Sequence, residues 1–190
     1  GNAVHHALEK FHKNIQDNST VEALIRYFRE GMEIHQSHFT KRQFEEQLYY
    51  GEQILPAYYD ARIASWRSLK EKPHVEFRIK DAVYAGVPIS GMIDKIELHP
   101  HSIRVVDYKT GKYASNKLKP PADELDPGSE YWRQIVFYKL LLDQIPEYRH
   151  RMQEGVMDFI IPDNSGNFQL STITVQPEDE ASVGRALNHA

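Results

Sequence analysis

The chain has 190 residues, of which 41% are hydrophobic and 26% charged, with a formal net charge of −4. That composition is that of an ordinary globule and excludes collagen-like, mucin-like and low-complexity chains; the acidic total leaves no global footprint for nucleic acid, so any DNA-binding surface must be local. With no cysteine there can be no disulfide framework, Cys-ligated zinc, iron–sulfur cluster or thiol nucleophile, and a metal must be held by Asp, Glu, His or backbone oxygens.

In the first part of the chain, Val4, Leu8, Phe11 and Ile15 recur at spacings of three and four, as do Val21, Leu24, Ile25 and Phe28. Both patterns predict amphipathic helices, the second opened by Thr20 as N-cap. A third helix is expected over Lys41 to Leu69, with a kink or break at Pro56. From Pro73 the period changes to two: Val75, Phe77 and Ile79 alternate with polar residues, and further strands are expected from Ile89 to Leu98 and from Ile103 to Lys109. A helix from about Ser129 to Asp143 follows, then strands at Val156–Ile161 and Phe168–Val175 joined by an Asp163-Asn164-Ser165-Gly166-Asn167 turn. After Pro177 a short helix or frayed tail is expected.

These elements predict an α/β fold of α+β character, with a mixed central sheet, an antiparallel hairpin and flanking helices. No repeat or flexible linker divides the chain, so one domain is expected over residues 1–190: a helical part at 1–70, a sheet-and-crossover core at 73–175 and a tail at 176–190. The most apolar helical run, Ile135 to Leu142, carries Lys139 and is too short for a bilayer, and no basic-then-apolar signal opens the chain. A soluble, cytoplasmic protein is expected, with no membrane partner. Gly1 in place of Met suggests a piece excised from a longer chain.

Pro100-His101 lies midway between two expected strands, so a hairpin centred there pairs residues whose numbers sum to 201. That register sets Glu97 against Arg104 and Leu98 against Ile103, both favourable pairs. It also sets Asp94 against Asp107 on the face shared with Ile96, Leu98, Ile103 and Val105, with Lys109 on the same side by strand alternation. Like charges directly opposed across a ribbon repel. Either a divalent cation lies between them, or one acid is solvated at the sheet end while Lys109 neutralises the other.

Ser90-Gly91-Met92-Ile93-Asp94, then Val106-Asp107-Tyr108-Lys109-Thr110-Gly111-Lys112, then Gln134 and Tyr138, resemble the PD-(D/E)xK nuclease superfamily. The opening Gly1-Asn2-Ala3-Val4-His5-His6-Ala7-Leu8-Glu9 is similar to the RecB-type nuclease domain at the C-terminus of UvrD-like helicases, in which a Gly-x-x-x-His-x-x-x-Glu helix supplies a metal-ligating histidine. The resemblance implies a restriction-endonuclease-like core. It implies His5, Asp94, Asp107 and the Tyr108 carbonyl as metal ligands, Lys109 as catalytic lysine with Asp94 and Asp107, and Gln134 and Tyr138 as substrate-side groups. His5 rather than His6 follows from motif alignment, since neighbouring residues on a helix point about 100° apart. The other histidines (His12, His35, His38, His74, His99, His101, His150 and His189) are expected to be surface or core residues.

The implied activity is a Mg²⁺- or Mn²⁺-dependent deoxyribonuclease, exonuclease or endonuclease, working with a helicase motor of the parent chain or a partner subunit in DNA recombination or repair. The ligand set is mostly hard oxygen, which suits Mg²⁺, with the imidazole favouring Mn²⁺. Gln134 and Tyr138 are four apart on one helix face, so both can reach a scissile phosphate, although Tyr138 also fits core packing with a wet hydroxyl. Glu76 is a candidate to orient Lys109 or a metal-bound water, or else a plain strand residue. Lys109, Lys112, Lys117 and Lys119 form a local basic loop, with Lys112 a candidate phosphate contact. Tyr113, and Trp132 with Arg133, are candidates to stack on unpaired bases, against a simply solvated loop. No Walker-type phosphate loop occurs, so ATP is not hydrolysed here by that route. The alternative to an enzyme is a module that keeps the fold and binds DNA ends or a partner without cutting.

Overall fold

A computed structural model of the protein describes residues 1–188; His189 lies outside the described residues. The chain gathers into two compact units, one formed by residues 1–75, 108–113 and 159–169, the other by 76–107, 114–158 and 170 onward.

In the first unit the three expected helices are present: α1 (Asn2–Lys13), α2 (Val21–Ile34) and α3 (Lys41–Arg67). Thr20 caps α2 by accepting from the Ala23 N–H, and Thr40 with Gln43 forms a reciprocal capping box on α3. Helix α3 continues through Pro56 instead of breaking there. The ring removes one backbone donor, and burial of neighbouring Leu55, Tyr58 and Tyr59 offsets that loss. Helices α1 and α2 approach closely at Gly31, where a Cβ would lie 2.8 Å from the Ala3 carbonyl oxygen. Phe11, Tyr58 and Trp66 form an aromatic core with Phe168, and the Arg62 guanidinium donates to the Phe168 and Gln169 carbonyls, fastening the 159–169 segment to α3.

Five strands form one sheet in sequence order: β1 (His74–Tyr84), β2 (Val87–Leu98), β3 (Ile103–Lys109), β4 (Met152–Phe159) and β5 (Leu170–Thr174). The β1–β2 turn is the two-residue Ala85-Gly86, both at positive φ (48° and 81°), as a tight hairpin with right-handed strand twist requires. β2 pairs antiparallel with β3, and β4 with β5. The Ile103 N–H donates to the Arg151 carbonyl and the Ile160 N–H to the Lys109 carbonyl, so β3 and β4 advance together and run parallel. Helix α4 (Glu130–Asp143), behind the N-cap residue Ser129, makes the crossover between them. The expected mixed sheet with flanking helices is thus observed. β4 begins upstream of the expected Val156, and the tail forms helix α5 (Pro177–Asn188).

Candidate active site

The β2–β3 ladder pairs Lys95 with Val106, Ile96 with Val105, Glu97 with Arg104 and Leu98 with Ile103, the register expected from the hairpin centre. Continued by one residue, it sets Asp94 against Asp107. Both are nearly enclosed, at 8% and 4% exposure. Carboxylates withdrawn from water in this way need compensating partners.

For Asp107, helix α4 supplies them. The Tyr138 hydroxyl donates to Asp107 Oδ1 at 2.6 Å, the Gln134 amide donates to the same oxygen at 3.1 Å, and Gln134 Nε2 also donates to Tyr138 Oη at 2.8 Å. Their spacing of four on one helix face is what lets both reach β3. Burial drives the Tyr138 phenol far above its ordinary range, and the charges of Asp107 and then Asp94 push it further. It therefore stays protonated and donating at any physiological pH. Sequence reasoning left open a wet hydroxyl for Tyr138; the structure instead gives that hydroxyl to a buried carboxylate. Ile135 and Val136 pack the rest of α4, and Gly155 admits Ile135, since a Cβ there would lie 2.4 Å from Ile135 Cγ2.

A second polar row occupies residues that alternate with this one. Lys95 Nζ lies 2.9 Å from Glu97 Oε2, Arg104 bridges Glu97 at 3.1 Å, and its Nε reaches Glu154 at 3.2 Å. Burial alone would raise the Glu97 carboxyl, but Lys95 and Arg104 together hold it below the ordinary carboxylate range. The Lys95–Glu97 pair went unrecognised in the sequence, although i, i+2 spacing on a strand puts both side chains on one face.

His5, Tyr108 and Lys109 belong to the first unit. The His5 ring lies edge-on to Tyr108 at 6.0 Å between centroids, with Nδ1 2.9 Å from the Gly1 carbonyl, whereas His6 Nε2 lies 3.8 Å from Glu30 on α2. The adjacent histidines thus serve different neighbours, as their angular separation predicts. Glu76 is half-buried in β1 at a positive φ of 47°. Lys112 is exposed, while Lys117 contacts Glu130 at 3.6 Å and lies 5.1 Å from the Tyr131 ring centre.

One expectation is overturned. Trp132 is 2% exposed, packed so closely under Gly128 that a Cβ there would lie 2.5 Å from its ring, and it cannot stack on a base. The local sequence shows an aromatic beside Arg133 but not that α4 turns this ring inward. Tyr113 keeps 38% exposure and an edge-on contact with Phe159.

Two neighbouring carboxylates are hard oxygen donors and fit Mg²⁺ or Mn²⁺. Among the described residues, no group of three or more His, Asp or Glu side chains is gathered to hold a metal ion. Among the described residues, no helix is long and apolar enough to cross a membrane.

Comparison with curated proteins returns no match. Among solved structures, the chain is similar to one titled "Crystal structure of SSO0001", at 17% identity and a TM-score of 0.35, covering 96% of this chain and 81% of that one. The protein-family model described as PD-(D/E)XK nuclease superfamily matches residues 1–189. With that match, and with its mixed five-stranded sheet and crossover helix, the chain belongs to the PD-(D/E)XK nuclease superfamily.

Proposed function

We propose that this chain is a Mg²⁺- or Mn²⁺-dependent deoxyribonuclease domain of the RecB type, acting in the cytoplasm beside a helicase motor in DNA recombination or repair. Membership of a nuclease superfamily suggests phosphodiester hydrolysis. The observation that carries the reading is Asp107, buried in β3 next to the Lys95–Val106 pair and held on one oxygen by Tyr138 and Gln134. A carboxylate held by two donors in this way is fixed in place, which is what a cation ligand requires.

In this reading Asp94, Asp107, the Tyr108 carbonyl and His5 hold the ion. When bound, it would make water nucleophilic at neutral pH and neutralise charge on the phosphate. The role of His5 is supported by its edge-on contact with Tyr108, which His6 lacks. Lys109 orients the attacking water and offsets negative charge at phosphorus. Tyr138 and Gln134 position Asp107 and face the substrate, Lys112 contacts the DNA backbone, and Glu76 supports Lys109. The water oxygen forms the new P–O bond as one bridging P–O bond breaks, leaving a phosphate and a hydroxyl end.

Cleavage of single-stranded and duplex DNA in Mn²⁺ or Mg²⁺ tests the assignment. Asp107→Ala and Lys109→Ala are each expected to lower the rate at least about 100-fold. Undiminished cutting by both variants would sink it.

A further inference from the structure

The first unit carries a partly open cavity of about 370 Å³ that the chemistry above does not use. This is at the small end of the roughly 300–1,000 Å³ typical of ligand pockets. Its walls carry the aromatic rings of Phe28, Phe39 and Tyr50, with His35 and His38 beside them and the Gln47 amide at the edge. Rings for stacking combined with a few donors and acceptors is the chemistry that recognises a planar heterocycle. None of the described residues lining it is acidic, so a polyanion can approach without repulsion from the walls.

Two details suggest a built cavity. Gly51 lies in the interior of α3, where glycine is unfavourable, and a Cβ there would lie 2.1 Å from the Phe28 ring. The residue therefore makes room for an aromatic wall. Tyr50 remains 47% exposed although large and aromatic, leaving one ring open to a partner. The cavity also has a defined address: Gly1 and Thr110 both line it, Gly1 accepts the His5 ring contact, and Thr110 directly follows Lys109.

We propose that this cavity receives an unpaired nucleobase of a single DNA strand whose backbone passes the end of β3. The inference rests on the nuclease reading and adds a subsite to it, one that grips the strand by a base as well as by its phosphates.

The test compares a labelled oligothymidylate with an abasic tetrahydrofuran strand of equal length by fluorescence anisotropy, in EDTA so that nothing is cut. The two strands carry the same charge and differ only in their bases. The wild-type chain is expected to bind oligothymidylate roughly 5- to 30-fold more tightly. Tyr50→Ala should bring that ratio towards one while Tyr50→Phe, which keeps the ring, preserves it. Gln47→Ala, at a second exposed position, should reduce it without unfolding the protein. Equal wild-type affinity for both strands, or a preference that Tyr50→Ala and Gln47→Ala leave intact, overturns the proposal. Failure of the nuclease reading appears separately, as oligothymidylate left uncut in Mn²⁺ while the base preference persists.

Discussion

Tyr138 of α4 donates its hydroxyl to Asp107 of β3 at 2.6 Å, and the same oxygen accepts from Gln134. A hydrogen bond to a buried charged group contributes about 1.5–3 kcal/mol, and its loss leaves that group under-solvated. Tyr138→Phe keeps the ring and its packing, so it is expected to destabilise the fold by about 1–3 kcal/mol in urea denaturation. It should also slow DNA cleavage. Unchanged stability would mean that the contact does not secure Asp107.

Gln134 touches both members of that pair, so its effect should not add independently. The Gln134→Ala, Tyr138→Phe double variant is expected to lose less stability than the summed single losses, with a coupling of about 0.5–2 kcal/mol in a double-mutant cycle. Strict additivity would argue that the three groups are not one network.

Glu97 carries the clearest acid sensitivity. Lys95 and Arg104 hold its carboxyl below the ordinary value of 4.5. A depressed folded value contributes stability that is present above that ordinary value and is lost as pH falls through the lower folded one. Glu97→Gln is therefore expected to flatten the acid limb of the stability curve below about pH 4.5. At neutral pH it should cost about 3–5 kcal/mol, because the change breaks a buried ion-pair network in which Glu97 serves both Lys95 and Arg104. The same acid slope in both proteins would contradict this reading.

The seat of α4 on the sheet depends on a missing side chain. Gly155→Ala places a Cβ 2.4 Å from Ile135 Cγ2, and overpacking of this kind costs about 1–3 kcal/mol. Adding Ile135→Ala should recover part of the loss, which a thermal melt of the single and double variants would reveal. No recovery would place the cost elsewhere.

How much of this was legible in the sequence varies by element. The β2–β3 register was, because Glu97 with Arg104 and Leu98 with Ile103 make sense only in one alignment of the hairpin. The pairing of Gln134 with Tyr138 was too, because helical spacing of four dictates it. The continuation of β1 to Tyr84 was not, since its turn uses Ala85 at positive φ, a conformation with no compositional signal at alanine. Trp132 misled because burial depends on which face of α4 meets the sheet, and that is decided by tertiary packing. The persistence of α3 through Pro56 likewise reflects core burial overriding a local preference. The grouping of residues 108–113 and 159–169 with the helices depends on contacts between distant segments, which no local pattern encodes.

The claim on which the functional account depends is that Asp94 and Asp107 share a divalent cation. Calorimetric titration of Mn²⁺ into the wild-type chain and into Asp94→Asn and Asp107→Asn measures it directly, since each variant removes one charge and keeps the side-chain shape. Saturable binding by the wild type and at least about tenfold weaker binding by each variant are expected. No binding by the wild type, or the same affinity in all three, would contradict that claim.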